Sequence, residues 1–200
     1  AQLLEEQDLP PESREYVSAL EHQAEKLRFL IDALVKTSRL ESGVLAMTPK
    51  RHGIQQLLDA ASAQAAPGAE AKAITLTVEP TDLTARFDPK WTAEALYNLV
   101  DNAVKYTPAG GAVTLRAVGY ELFCRVDVTD TGPGIPESEQ ARIFQRFYRS
   151  PSASEAEGVG IGLYLARQIA AGQGGYLKVS SRPGEGSTFS LFLPRAEERT

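Results

Sequence analysis

Cysteine, methionine and tryptophan each occur once in these 200 residues, and histidine twice. The lone Cys124 falls in an expected strand, which excludes a disulfide framework and a cysteine zinc cluster and leaves the reading of a small buried residue. No run of eighteen apolar residues occurs, so no membrane-spanning helix is expected. Basic residues are outnumbered, 21 to 26, and the net charge of -5 argues against nucleic acid as a partner. The chain opens on alanine and its one methionine is Met47, so it reads as a segment of something longer without a signal peptide of its own. What is present in quantity is apolar content, 42%, enough for one domain plus an appendage.

The appendage comes first. In "DLPPESREYVSALEHQAEKLRFLIDALVKTSRLESG" the prolines suit a helix start and Gly43 a helix end. Val17, Leu20, Ala24, Leu27, Ile31, Leu34 and Ser38 recur at steps of three and four, a heptad seam widened by Tyr16, Leu30 and Val35. A helix with such a stripe needs partner helices; a four-helix bundle built across a dimer fits, and so does folding back on its own domain. His22 falls on the outer face of this helix, and His52 reads as a linker residue.

From Gly53 onward the pattern is mixed. "GIQQLLDAASAQA" reads as a helix interrupted or kinked at Pro67-Gly68. "AITLTVEP" and "TARFD" read as short strands, and Asp88-Pro89 opens a helix that reaches Pro108. Strands are expected at 112–118, 122–129, 176–181 and 188–193, with one more helix between, opened by 158–162 and running through Ala170. One helical layer on a largely antiparallel sheet follows.

Three features carry chemistry. Glu94, Asn98, Asn102 and Lys105 form one polar stripe on the 89–107 helix, opposite its apolar face. A solvated face would explain them. Yet asparagine is a mediocre helix former, and its amide oxygen is a neutral hard ligand suited to magnesium that already carries phosphates. In "EGVGIGLYLARQIA", Gly158, Gly160 and Gly162 let backbone N–H groups approach an anion at a helix start. This is neither a Walker loop nor a dinucleotide turn, since no GK[ST] follows and the spacing differs from GxGxxG. Finally, "VDVTDTGPGIPESE" ends a strand on Asp130 and then frames it with glycines and prolines.

Taken in order, "NLVDNAVKYTP", "DTGPGIP", "IFQRFYR", "GVGIGL" and "GEGSTF" resemble the N box, the first glycine box, the F box, the second glycine box and the final glycine-threonine turn of sensor histidine kinases. "LVKTSRLESG" resembles the end of the second dimerisation helix of those enzymes, so the resemblance covers essentially the whole chain. It implies an α+β fold, a two-layer α/β sandwich of the histidine-kinase/gyrase/Hsp90 type preceded by a long amphipathic dimerisation helix. Residues 1–48 would be a partial dimerisation segment and 49–200 the catalytic ATP-binding domain. ATP and Mg2+ are the implied cofactors.

The same resemblance implies roles. Asp130 would accept a hydrogen bond from the adenine amino group and reject guanine, with Gly132, Gly134 and Ile135 passing close to the base. Asn102 would hold magnesium with Asn98 assisting, Lys105 would meet phosphate, and Tyr106 would border the adenine. Thr188 would bond the base directly or through water. Phe144 and Phe147 would anchor a lid at Ser150–Glu157, and Arg146 and Arg149 would contact phosphate or serve the structure. Gly158, Gly160, Ile161 and Gly162 would lie against the phosphates, with Leu163 starting the helix behind them. Asn102, Lys105 and Arg146 are the implied catalytic set. The implied reaction moves the γ-phosphoryl group of ATP to a histidine and then to a response-regulator receiver domain.

One departure matters. The family's acceptor histidine is followed by an acidic residue on the first dimerisation helix, whereas His22 is followed by Gln23. The acceptor is therefore expected upstream. Gyrase- and chaperone-type ATPases of the same fold carry a glutamate base where this sequence has Asn98, which disfavours hydrolysis by that route. A nucleotide-binding scaffold that works only by dimerising is the third reading. A cytoplasmic homodimer is expected, its parent anchored in the membrane.

Overall fold

The computed structural model describes residues 10–41, 47–150 and 159–196. The expected helix end at Gly43 and most of the expected lid lie outside them. The chain divides into two compact units at Val44 and Leu45. The first contains α1, Pro11–Glu41. Its apolar stripe is in water: Leu20 is 69% exposed, Leu27 58%, Ile31 59% and Leu34 53%.

The second unit runs β1 (Lys50–Gly53), α2 (Ile54–Ala71), β2 (Thr75–Val78), β3 (Thr84–Phe87), α3 (Pro89–Tyr106), β4 (Ala112–Gly119), β5 (Phe123–Asp130), α4 (Glu137–Gln140), α5 (Gly162–Gly172), β6 (Tyr176–Arg182) and β7 (Gly186–Pro194). The main sheet has the order β2-β4-β5-β7-β6; β2 and β4 are parallel and all other neighbours antiparallel. Alternation buries Val113 and Leu115, Cys124, Val126 and Val128, and Phe189, Leu191 and Leu193 on one face. Against that face α3 packs between α2 and α5 as a single helical layer.

Two local expectations are corrected. His52 is no linker residue: it belongs to β1, which pairs antiparallel with β3, and its ring lies 5.3 Å from that of Phe87. Pro67 does not interrupt α2, which continues to Ala71. Its missing N–H removes one bond in an exposed part of the helix, while Ala61, Ala65 and Ala69 stay buried and carry the helix past it.

Candidate functional site

The helix α3 is set from both ends. At its start the Asp88 carboxylate accepts from the N–H groups of Lys90 (3.1 Å) and Trp91 (3.3 Å), and Pro89 needs no partner. The apolar stripe Trp91, Ala95, Leu96, Leu99, Val100, Ala103 and Val104 is buried and fixes the rotation of the helix. The polar stripe on the other side is half-buried at Glu94, Asn98, Asn102 and Lys105 rather than open to water.

Asn98 Nδ2 donates to the Glu94 carbonyl at 2.9 Å, which turns its amide oxygen toward the start of α5. There, a Cβ on Gly162 would stand 2.9 Å from Asn98 Oδ1, so only glycine admits this approach. Asn102 lies one turn on, and its amide forms no hydrogen bond among the described residues. The Lys105 ammonium sits 5.9 Å from the centre of the Tyr106 ring. Among the described residues no cluster of three acidic, histidine or cysteine side chains could hold a metal. A divalent cation here would rely on the asparagine oxygens, which suit one that brings phosphate ligands with it.

Asp130 ends β5 directly opposite Ser187 of β7 and is 6% exposed. Burial pushes its carboxyl above the usual range, opposed by the N–H groups of Gly132 and Ser187. The Gly132 N–H reaches Asp130 Oδ1 at 2.8 Å. A Cβ at Gly132 would lie 2.7 Å from that oxygen and 3.2 Å from the Tyr106 carbonyl, so the strand end and the last turn of α3 converge on this glycine. Gly134 has φ +73°, and a Cβ there would overlap the Arg182 carbonyl. The turn is clipped to the β6–β7 hairpin: Gly184 N–H donates to the Pro133 carbonyl (2.7 Å) and Ile135 N–H to Ser181 Oγ (2.8 Å). Gln140 Nε2 then ties the carbonyls of Ile135 (3.0 Å) and Ser181 (2.9 Å) together. Nothing local in the sequence signals Ser181 or Gln140.

Thr188 is the residue expected to bond the base. It pairs with Thr129 on the opposite face of the sheet from Asp130, and the two hydroxyls bond each other at 3.0 Å. Side chains alternate along a strand, so Ser187, not Thr188, shares the face of Asp130 and Phe189.

The F-box residues divide. Phe144 is buried edge-on against Phe189, centroids 6.5 Å apart, beneath the Arg167 guanidinium. The Phe147 ring is 54% exposed. Its backbone, at φ +60°, donates its N–H to the Gly160 carbonyl at 2.9 Å. A Cβ on Gly160 would stand 2.6 Å from the Tyr148 carbonyl. Arg146 reaches Tyr164 of α5, donating to its hydroxyl at 2.9 Å with the guanidinium 4.7 Å above the ring. The Tyr106 phenol is pushed up by burial, and Arg149 is near enough to oppose that shift. Ile161 is buried at the N-cap of α5, Leu163 half-buried in its first turn, and Ile135 half-buried in the turn. Gly158 lies outside the described residues. The structure thus gathers Asn98 with Gly162, Tyr106 with Gly132 and Asp130, and Phe147 with Gly160.

Known proteins resemble this chain in sequence and in fold. Residues 87–197 match the family described as "Histidine kinase-, DNA gyrase B-, and HSP90-like ATPase". The sensor protein DivL of Caulobacter vibrioides is 35% identical over 99% of this chain. The circadian input-output histidine kinase CikA of Synechococcus elongatus is 33% identical over 93% of it. The chain spans 26% of the length of each. Full-length ShkA, solved in complex with AMPPNP, superposes over 99% of this chain and 42% of its own, with a TM-score of 0.82 and 30% identity.

Proposed function

Since the chain belongs to the histidine kinase-, DNA gyrase B- and HSP90-like ATPase family, we propose that it binds Mg2+-ATP and acts as the phosphoryl-donor part of a sensor histidine kinase. The observation that carries the reading is Asp130: a carboxylate buried at a strand end beside Gly132, where any Cβ would crowd its oxygen. A buried acceptor selects a donor, and adenine presents an amino group where guanine presents a carbonyl.

Asn102 and Asn98 would hold the magnesium, which when bound neutralises phosphate charge. Lys105, with Arg146 and Arg149, adds positive charge beside the phosphates, and Tyr106 borders the base. The backbone from Gly160 to Gly162 approaches the phosphates at the positive end of α5. The acceptor would be a histidine other than His22 and His52, with a response-regulator receiver domain taking the phosphoryl group onward. A second copy, joined through the exposed seam of α1, is the proposed dimer partner. The cytoplasm is the proposed location; among the described residues no helix is long and apolar enough to cross a membrane. Hydrolysis of the gyrase type is disfavoured by Asn98, which offers no carboxylate base.

Calorimetry with ATP and GTP, with and without Mg2+, tests this. Tighter binding of ATP is expected, and its loss in Asp130→Asn by about 1–3 kcal/mol. Equal affinity for the two nucleotides would overturn the reading.

A further inference from the structure

The last turn of α3 ends without the usual means of satisfying its carbonyls. Its C-cap, Thr107, is extended rather than left-handed, and no glycine follows until Gly110. The Ala103 carbonyl is covered by the Thr107 N–H at 3.0 Å and by the Thr107 hydroxyl, which leaves the carbonyls after it. A single side chain covers the next: Lys72 Nζ donates to the carbonyl oxygens of Val104 (2.9 Å), Lys105 (2.8 Å) and Thr107 (2.6 Å). An ammonium has three protons, and all three are used. Its positive charge also faces the negative end of the helix.

Lys72 is itself held. Its N–H bonds the Ala69 carbonyl at the end of α2, and its carbonyl accepts from Gly110 N–H at 3.0 Å. The carbonyls it grips flank Tyr106, whose own carbonyl lies against Gly132, and Gly132 N–H fixes the Asp130 carboxylate. On the other side of the same turn, a Cβ on Gly111 would meet both Thr107 and Thr131, the residue between Asp130 and Gly132.

We propose that Lys72 is a positioning residue of the nucleotide site: by closing the C-terminus of α3 it sets where Lys105 and Tyr106 stand relative to the Asp130–Gly132 turn. The proposal rests on the nucleotide-binding reading. It assigns Lys72, 33 residues before Lys105 in the chain, to a site that its own side chain does not enter. A methionine in its place keeps much of the stem but leaves three carbonyls without their donor. The last turn then frays, and the two halves of the base pocket lose their common reference.

The test compares the wild type with Lys72→Met, Lys72→Arg and Asp130→Asn, by calorimetry with Mg2+-ATP and by backbone amide NMR. Lys72→Met is expected to weaken ATP about tenfold. It should also shift the amides of Lys105 to Thr107 and of Gly132, while those of Leu177 and Val179 stay in place. A general loss of stability would lower the melting temperature without moving native shifts. If Lys72→Met does not fold, Lys72→Arg decides. Its charge is kept, but a planar fork cannot meet three carbonyls as an ammonium does, so a smaller loss and shifts at the same amides are expected. Wild-type affinity with unmoved amides in whichever variant folds overturns the role of Lys72. Loss confined to Asp130→Asn does the same and leaves the nucleotide reading standing. A wild-type chain that binds no ATP overturns both.

Discussion

At Asp130 the proposed binding role is set against stability. Its carboxyl is raised above the ordinary 3.8, chiefly by burial. A group raised in the folded state favours folding below its unfolded value and loses that contribution as pH rises through its folded value. The charged carboxylate therefore weighs against the nucleotide-free fold at neutral pH. Asp130→Asn should unfold at higher urea than the wild type at pH 7, with the advantage shrinking as the pH is lowered toward 3.8 and below. Urea titrations across that range would show it, and an asparagine variant less stable at pH 7 would contradict it. Cys124 gives a second residue-level expectation. Its thiol is 1% exposed and pushed up by burial to about 11. Alkylating reagents at pH 8 should leave it intact in the native protein and modify it only on unfolding. Rapid native labelling, followed by mass spectrometry, would show that β5 is not buried as described.

Glycines 162 and 134 look alike in sequence and differ as parts of their elements. Gly162 lies in α5 with ordinary helical backbone, where alanine is worth up to about 1 kcal/mol more than glycine. Gly162→Ala should therefore change the melting temperature little. Its added methyl displaces the Asn98 amide, and Mg2+-dependent ATP affinity should fall about tenfold. Gly134→Ala must instead hold φ +73° and meet the Arg182 carbonyl, so both stability, by about 1–3 kcal/mol, and binding should drop. Melting curves beside calorimetry separate the two cases. The helix α3 was legible beforehand, because its cap, its proline and its apolar period all lie within the 89–107 stretch. The face of Thr188 was also legible: alternation back from the core residue Phe189 reaches Ser187. The clip made by Ser181 and Gln140 and the pairing of β1 with β3 were not. They join residues far apart in the chain and leave no period in either partner, and four-residue strands are too short to show one.

At the scale of the molecule, the proposed donor site is assembled while no histidine stands before an acidic residue; His22 precedes Gln23 and His52 precedes Gly53. Incubated with γ-labelled ATP, this chain should gain no acid-labile label, and a longer chain with an acceptor helix should gain it. Label that disappears with His22→Ala would refute this, and an unlabelled longer chain that still binds ATP would favour a scaffold. The order of the sheet carries one more consequence. The strand β7 lies between β5 and β6, yet it follows every other strand in sequence, and its Ser187 completes the surroundings of Asp130. While the protein is being made, the ribosome releases β5 long before the residues that must lie beside it. Until β7 emerges, β5 has one open edge and the proposed base pocket has one wall missing. A nascent chain halted before Gly186 would thus be blind to ATP, and the nucleotide can steady this fold only once synthesis has passed its last strand.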